Sequence, residues 1–364
     1  MTSLPPHAFS PSPDPRLCDL GWDDRFAASF AEHAAAGLVP ARVVRVDRGR
    51  CDVLAASGPI RADAAAVVSR NPAQTVCTGD WAALGPGPEP ALVAVLPRRS
   101  VVTRASVDRT SQVQALAANV DAVVIAVSAA APVKAGLVER LLALAWESGA
   151  LPVVALTKAD VADDLDELRA TVTALAPGVD VLTTSAATGT GLAELVETVT
   201  GTTVLLGPSG AGKSSLANAL LGRNRMAVNE VRAVDGKGRH TTVHRELLPL
   251  PNGGVLIDTP GLRGIGLPDA VDGVERVFAE IEAYADDCHF RDCAHGSEPD
   301  CAVQEAIVDG RLDVGRLDRY RKLLRESERA AHRGDARRSG KGTAAKKQIS
   351  RDIRAMYRLR DPKR

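Results

Sequence analysis

The chain has few aromatic residues: Phe, Trp and Tyr make up 3% of its 364 residues. Single-stranded nucleic acid stacks on such rings, so any nucleic-acid contact is expected to run mainly through phosphates. The chain also lacks an apolar run of the roughly 18–20 residues that a membrane-spanning helix needs. Its first fifteen residues contain five prolines but neither a basic start nor an apolar core, unlike a signal peptide. These absences predict a soluble, cytoplasmic protein that makes no membrane contact.

The chain also has no net charge, with 45 basic and 45 acidic residues, but the charges are unevenly placed. Residues 316–364 contain 18 Lys or Arg against 6 Asp or Glu. A solvated, charge-rich helix would explain part of this excess. A block so one-sided is also typical of a segment that contacts nucleic acid.

The hydrophobic pattern changes twice along the chain. Residues 41–96 contain short, β-branched runs separated by Gly and Pro turns, which is typical of a small barrel. From residue 120, buried strands alternate with helices, which predicts a mostly parallel, doubly wound α/β sheet. A charged helix is expected from about Val314.

A phosphate-binding loop follows the apolar strand predicted at 202–206. The segment fits G-x-x-x-x-G-K-[ST] and opens a helix, as that motif requires. Its glycines let successive backbone N–H groups point at phosphates. Lys213 is expected to reach the β- and γ-phosphates, and Ser214 to bind Mg²⁺. The predicted loop residues are Gly207, Pro208, Ser209, Gly210, Ala211, Gly212, Lys213, Ser214 and Ser215.

Asp258 and Gly261 form a D-x-x-G element at the end of another apolar strand. The carboxylate is placed to hold Mg²⁺ through water, and the Gly261 N–H to meet the γ-phosphate. An ordinary strand-end turn is the alternative reading. Its position after a strand, 45 residues beyond Lys213, favours the phosphate role.

A guanine-recognition element, [NT]-K-x-D, follows the strand predicted at 151–156: Thr157, Lys158, Ala159 and Asp160. The Asp160 carboxylate can accept hydrogen bonds from N1–H and the 2-amino group of guanine, which adenine lacks. Leaving both contacts unmade would cost roughly 2–6 kcal/mol. Ser185 and Ala186 end the next strand, where a backbone N–H is expected to meet guanine O6.

The order of these elements is unusual, because the guanine elements precede the phosphate loop. A circular permutation preserves the sheet and relocates the termini. Between the phosphate loop and Asp258, the basic segment 236–242 suits a mobile first switch. Thr241 or Thr242 is expected to complete the Mg²⁺ shell. Leu262 occupies the position where many GTPases have a water-orienting Gln, so His240 or a partner protein would have to orient the water.

Three cysteines and a histidine lie close together near the C-terminus: Cys288, Cys293, His295 and Cys301. Three thiolates and one imidazole form a closed tetrahedral set typical of structural Zn²⁺. His289 is a rival ligand, although it directly follows Cys288. Reduced, unligated thiols are the alternative.

Together these motifs resemble the bacterial RsgA family, the ribosome small-subunit-dependent GTPases A. The resemblance covers about residues 20–330 and rests on T-K-A-D, G-P-S-G-A-G-K-S-S, G-R-H-T-T, D-T-P-G-L-R and C-x4-C-x-H-x5-C. The segments 79–81 and 96–100 also resemble that family's barrel. Many members have Asn where this chain has Thr157, and Val243 replaces a third threonine.

The resemblance implies a multidomain fold. The expected parts are a disordered Pro-rich tail at 1–20, an RNA-binding all-β OB-fold barrel at 21–105 and a circularly permuted α/β GTPase domain at 106–284. A small helical zinc-binding domain at 285–334 and a basic flexible tail at 335–364 complete the chain.

The implied function is late maturation of the small (30S) ribosomal subunit, with GTP hydrolysis to GDP and phosphate stimulated by that subunit. The expected partners are GTP or GDP, the small subunit and its 16S rRNA, with the chain a monomer and His240 a suggested catalytic group. Two alternatives remain: a GTP-regulated RNA-binding scaffold with incidental hydrolysis, and a P-loop ATPase acting on DNA. The guanine element disfavours the second.

Overall fold

The fold combines a small barrel, a larger α/β sheet and a C-terminal helical module in one chain. In this computed structural model the described residues are 14–69, 71–105, 113–222, 245–258 and 270–338. The predicted tails at 1–20 and 335–364 therefore lie mostly outside them. None of the helices in these ranges is both long enough and apolar enough to cross a bilayer.

Two helices precede the barrel, α1 (Pro15–Cys18) and α2 (Asp24–Ala35). Asp23 caps α2, because its carboxylate accepts hydrogen bonds from the first-turn N–H groups of Arg25 and Phe26 at 3.0 and 3.1 Å. Phe26 and Phe30 lie on the buried face of α2.

The barrel has five strands and closes on itself. Its order is β1-β2-β3-β5-β4, and β4 pairs with β1. The strands are β1 (Val39–Val46), β2 (Arg50–Ala55), β3 (Gly58–Asp63), β4 (Trp81–Gly85) and β5 (Ala91–Val95). The sequence pattern missed β2, whose alternate residues Cys51, Val53 and Ala55 point into the barrel core. Residues 65–67 form a 3₁₀ turn rather than a continuation of the strand predicted there.

A hairpin links the barrel to the large sheet: β6 (Val101–Ala105) and β7 (Val113–Ala118). The sequence pattern did not predict it. At the junction, Arg42 of β1 is completely buried and donates to Thr202 Oγ1 at 2.9 Å. Gly79 must be glycine, since a Cβ there would lie 2.3 Å from the carbonyl oxygen of Ala118.

The large sheet has six strands in the order β10-β9-β8-β11-β13-β12. All neighbours are parallel except the edge strand β12. The strands are β8 (Ala122–Ser128), β9 (Leu151–Thr157), β10 (Asp180–Thr183), β11 (Thr202–Leu206), β12 (Glu246–Pro249) and β13 (Val255–Asp258). Among the described residues, four helices lie between these strands along the chain: α3 (Ala135–Glu147), α4 (Leu165–Leu175), α5 (Leu192–Thr198) and α6 (Lys213–Leu220).

Both faces of this sheet are covered, as a parallel sheet requires. On β8 and β11, Ile125 and Leu206 pack into one core cluster, whereas Val124 and Leu205 pack into another. The predicted doubly wound arrangement is thus present. The bounds predicted for α4, β11 and β13 agree with the structure.

Four more helices complete the described chain: α7 (Val271–Val277), α8 (Ala279–Ala285), α9 (Ala302–Val308) and α10 (Val314–Arg338). The charged helix α10 packs back on the large domain through Arg316, which donates to Glu139 at 2.9 Å and Glu280 at 2.6 Å. Arg319 donates to both carboxylate oxygens of Glu139 at 2.9 Å. Part of the basic excess seen in the sequence is therefore used in internal ion pairs.

Candidate functional site

The predicted nucleotide elements meet at one edge of the large sheet. The phosphate loop follows β11, the T-K-A-D element begins at the end of β9, Ser185 follows β10, and Asp258 ends β13. These four strands are parallel. Their carboxyl ends share one side of the sheet, which is where doubly wound sheets bind ligands. The permuted chain order therefore does not separate these elements in space.

The phosphate loop depends on glycine at three positions. Gly207, Gly210 and Gly212 have φ of 149°, 81° and 80°, in the region that side chains disfavour. A Cβ on Gly207 would lie 2.7 Å from the carbonyl oxygen of Ala126 on β8. The loop ends at Gly212, and α6 begins at Lys213. The backbone thus passes close to β8 and turns directly into a helix N-terminus, which favours anions.

Lys213 and Asp258 form the charged part of this edge. The Lys213 ammonium donates to the carbonyl oxygens of Gly207 and Pro208, both at 2.7 Å, which holds it over the loop. Burial lowers the pKa of Lys213, and the negative charge of Asp258 partly offsets this. Burial likewise raises the pKa of Asp258, while Lys213 lowers it and Glu246 raises it. Each charge is costly to bury and is stabilised by the other.

The guanine element is fastened to the phosphate loop by a side chain. The Thr157 hydroxyl lies 2.7 Å from the carbonyl oxygen of Ala211 and 3.3 Å from that of Val127. Lys158 adopts φ of 59°, a left-handed conformation that ends β9 abruptly. Ala159 and Asp160 then begin a 3₁₀ turn at the same edge.

Asp160 is exposed, and a neighbouring loop orients it. The Ser185 hydroxyl donates to Asp160 Oδ1 at 2.5 Å. Ser185 Oγ in turn accepts from the N–H groups of Ala187 and Thr188, both at 3.2 Å. The sequence predicted only a backbone role for Ser185 and Ala186, so the link from the Ser185 side chain was missed. An exposed carboxylate held by one oxygen can accept hydrogen bonds from a planar base.

Several predicted site residues lie outside the described residues: His240, Thr241, Thr242 and Gly261. Ser214 and Ser215 open α6 and are half-buried, as is Asp258. The three lie at the same sheet edge. Their predicted roles remain predictions.

The predicted metal ligands form a compact group in the C-terminal module. One donor atom from each of Cys288, Cys293, His295 and Cys301 lies within 4.8 Å of the other three. The Cys288 and Cys301 sulfurs are 3.8 Å apart, and His295 Nδ1 lies 3.6 and 3.7 Å from them. Sulfurs bound to a tetrahedral zinc at about 2.3 Å would be about 3.8 Å apart, and sulfur and nitrogen about 3.6 Å. The four residues therefore fit a tetrahedral metal ion.

The rival ligand, His289, is not part of this group of donors. Its ring instead contacts Phe290, with centroids 4.7 Å apart.

Backbone contacts shape the loop that carries His295. His295 itself has φ of 58°, and the carbonyl oxygen of His295 accepts from both Gln304 and Arg321. Glu298 accepts from the N–H groups of Ala294 and Gly296, at 3.1 and 2.6 Å. These supporting residues were not predicted, because their contacts depend on how the loop folds around the cluster.

The thiols of the cluster differ in acidity. Burial raises the pKa of Cys288, but hydrogen bonds from the N–H groups of Val303 and Ala302 outweigh it, so the net shift is downward. Burial raises the pKa of Cys293 to about 11, with Cys301 and Cys288 adding to the rise. A cation among the four would favour thiolates, as metal binding to cysteine does generally.

Comparison with known proteins identifies relatives of this chain. A family model described as RsgA GTPase matches residues 95–268. A small ribosomal subunit biogenesis GTPase RsgA of Streptomyces coelicolor is 56% identical over 326 residues, covering 88% of this chain and 89% of that protein. Its counterpart in Streptomyces avermitilis is 55% identical, covering 93% and 92%.

Two crystal structures resemble the fold. YjeQ from Thermotoga maritima has a TM-score of 0.59 at 27% identity, covering 80% of this chain and 98% of that one. YloQ, described as a circularly permuted GTPase, has a TM-score of 0.57 at 26% identity, covering 80% and 95%. Together with the permuted order of the predicted nucleotide elements along the chain, these matches show that the chain belongs to the RsgA GTPase family and is a GTP hydrolase.

Proposed function

We propose that this chain is a GTPase of small ribosomal subunit biogenesis, which binds the 30S particle late in its assembly and hydrolyses GTP faster when bound. The main support is the edge of the large sheet at which the phosphate loop, Asp258 and Asp160 all lie, here called the nucleotide edge. The chain that carries it is 56% identical to a protein of that name.

At this edge, backbone N–H groups of residues 207–213 cradle the phosphates, and Lys213 moves from its loop carbonyls to phosphate oxygens. Asp160 accepts from the guanine N1–H and 2-amino groups, with Ser185 orienting its carboxylate and Ala186 facing O6. Ser214, Asp258 and one of Thr241 and Thr242 would hold Mg²⁺, which neutralises charge on the β- and γ-phosphates. His240 orients the attacking water, since Leu262 cannot, and Gly261 meets the γ-phosphate.

The metal is structural zinc. Cys288, Cys293, His295 and Cys301 leave no open position on a tetrahedral ion, so it serves to order the loop between α8 and α9. That loop has little apolar core of its own, and four ligands would fix it in one conformation.

The barrel is an OB-fold that contacts 16S rRNA. Its closed order β1-β2-β3-β5-β4, with β3 parallel to β5, supports this. We retain the proposed divisions at 21–105, 106–284 and 285–334, flanked by tails at 1–20 and 335–364. The chain acts as a cytoplasmic monomer, and its RNA contacts run through phosphates.

The test is GTP turnover measured with and without purified 30S subunits. We expect a strong stimulation by 30S particles, none by 50S particles, and GTP-dependent affinity for the 30S. Equal turnover in both conditions would contradict the proposal. If the 30S bound equally well with GTP and GDP, a scaffold with incidental hydrolysis would be the better description.

A further inference from the structure

A cavity of about 380 Å³ lies between the barrel, the β6–β7 hairpin and the start of β12. Its walls come from the end of β1, the loop before β4, both hairpin strands and Arg245. None of the described residues assigned to the nucleotide edge or the metal centre lines it. It is thus a separate feature of the molecule.

The charged residues that line this cavity have one sign. Its described lining residues include Arg104 and Arg245 but no aspartate or glutamate. The other polar groups are the hydroxyls of Thr75 and Thr78 and the amide of Gln114. Two guanidinium groups without an acidic residue repel cations and attract anions.

Cys77 also lines the cavity but adds no negative charge. Burial raises the pKa of Cys77 well above its usual value, and Asp80 raises it further. The thiol therefore stays neutral near pH 7. Asp80 itself does not line the cavity and is bound by Arg98, at 2.7 and 2.8 Å.

Arg104 is held across the hairpin with part of its hydrogen-bonding capacity unused. Its Nη2 donates to Gln114 Oε1 at 3.2 Å. Its Nε is buried and has no hydrogen-bond partner among the described residues. A buried, unpaired donor costs about 1–3 kcal/mol, so the protein leaves this guanidinium only partly satisfied and its Nη groups can still donate to an acceptor in the cavity.

The charged form of Arg245 is disfavoured by its surroundings. Burial lowers its pKa, and the charge of Arg104 lowers it further. None of the described carboxylates offsets this effect. An anion between the two guanidinium groups would reduce their repulsion and provide acceptors for both.

We propose that this cavity binds a phosphate group through Arg104 and Arg245. Planar guanidinium forks match phosphate oxygens in pairs, and the Thr75 and Thr78 hydroxyls can donate to the remaining oxygens. The phosphate group belongs either to an RNA backbone that follows the barrel or to a small free anion. Both sources present the same phosphate oxygens, but an RNA chain continues beyond the cavity whereas a free anion does not.

The test uses the full-length chain saturated with GDP and Mg²⁺, so that the nucleotide edge cannot bind the probes. One arm titrates inorganic phosphate, followed by calorimetry. The other titrates a labelled twelve-nucleotide uridine RNA without terminal phosphates, followed by fluorescence anisotropy at several salt concentrations. Both arms compare wild type with Arg104→Gln and Arg245→Gln. Arg169→Gln is the matched control, since Arg169 is exposed on α4, away from the cavity.

We expect Arg104→Gln and Arg245→Gln to weaken at least one arm about tenfold, as for lost charge-assisted hydrogen bonds. A loss confined to the phosphate arm identifies a free anion, and a loss in both arms identifies a phosphate site that also accepts the RNA backbone. A loss confined to the RNA arm identifies a backbone phosphate, and each variant should then reduce the salt slope by about one. Changes below about twofold in both arms, relative to Arg169→Gln, would refute the site.

A measurement on wild type covers the case in which a variant does not fold. Phenylglyoxal modifies accessible arginines, and mass spectrometry maps them. Bound ligand should protect Arg104 and Arg245 but not Arg169, and equal modification with and without ligand would contradict the proposal. Intrinsic GTP turnover should be unchanged in both variants, so failure here leaves the proposed GTPase function intact.

Discussion

The hydroxyl of Thr157 lies 2.7 Å from the backbone carbonyl oxygen of Ala211. Thr157 ends β9 and Ala211 lies in the loop after β11, so this bond spans the intervening strand β8. Both residues are buried. The element proposed to select the base and the loop proposed to bind the phosphates are thereby held at a fixed separation.

Removing the Thr157 hydroxyl should weaken the site. In Thr157→Val the shape remains but the buried Ala211 carbonyl loses its partner, so we expect the free energy of unfolding to fall by about 1–2 kcal/mol. The affinities for GTP and GDP should fall together, because both nucleotides depend on the distance between the guanine element and the phosphate loop. Denaturant unfolding and nucleotide titration measure these effects. Thr157→Ser is the control: it keeps the hydroxyl and loses one buried methyl group, so it should lose less stability than Thr157→Val and keep the nucleotide affinity. Equal losses of affinity in both variants would show that the hydroxyl is unimportant.

Asp160→Ala should abolish the preference for guanine. Both base donors lose their acceptor, so GDP affinity should fall by at least about thirtyfold, the lower end of a 2–6 kcal/mol effect. ADP affinity should change little. Ser185→Ala should give a smaller loss, since it removes only the orienting bond. The control is Asp163→Ala, an exposed neighbour. A GDP to ADP ratio unchanged by Asp160→Ala would contradict the assignment.

Asp258→Asn should stabilise the nucleotide-free protein while impairing its use of Mg²⁺. Burial raises the pKa of Asp258 above its ordinary 3.8, so ionisation of this group disfavours the folded state. The penalty is absent below pH 3.8 and grows as the pH rises through the folded-state pKa. The variant's gain in melting temperature should therefore be larger at pH 7 than at pH 4. A gain that is independent of pH would show that ionisation is not its cause.

Removing zinc should loosen the C-terminal module. We expect one equivalent of zinc per chain by elemental analysis, less in Cys293→Ser, and an unchanged amount in Cys18→Ser. Chelation should release this zinc and increase hydrogen exchange in residues 288–301, because the ion ties four ligands of that loop together. Exchange in α3 should not change. Full zinc occupancy in Cys293→Ser would contradict the assigned ligand set.

Glu139→Gln should destabilise the packing of α10. Glu139 is completely buried and accepts from Arg316 and Arg319, so its neutralisation leaves the Arg316 guanidinium less compensated. Breaking such a pair typically costs about 3–5 kcal/mol. Chemical unfolding and hydrogen exchange of α10 measure the loss. Asp309→Asn, in an exposed ion pair, should change stability by less than about 1 kcal/mol. A similar loss in both variants would show that burial is not decisive.

Structural elements that are determined by residues close together in the sequence were predicted well. Most large-sheet strands were predicted, and the phosphate-loop and T-K-A-D segments follow strands as expected, because each is a short run with its own spacing and flanking pattern. The four cysteine and histidine residues predicted to bind metal do come together, although spacing alone could not decide against His289.

What was missed depends on distant partners. Glu139 and Arg316 lie 177 positions apart, so nothing near either residue indicates that the charged helix would be buried at one end. The hairpin β6–β7 and strand β2 contain small residues and charges that give weak strand signals. The cavity at Arg104 and Arg245 exists only because the hairpin folds against the barrel.

The Glu139–Arg316 contact attaches the C-terminal module to the helix between β8 and β9, whereas the chain itself leaves the sheet at the end of β13. The module is therefore held to the large sheet by the backbone and also by several non-covalent contacts, which include the Arg140–Glu326 ion pair and the hydrogen bond from the Gly273 N–H to Glu147. Cutting the backbone between residues 259 and 269 would leave two fragments that stay associated and co-purify.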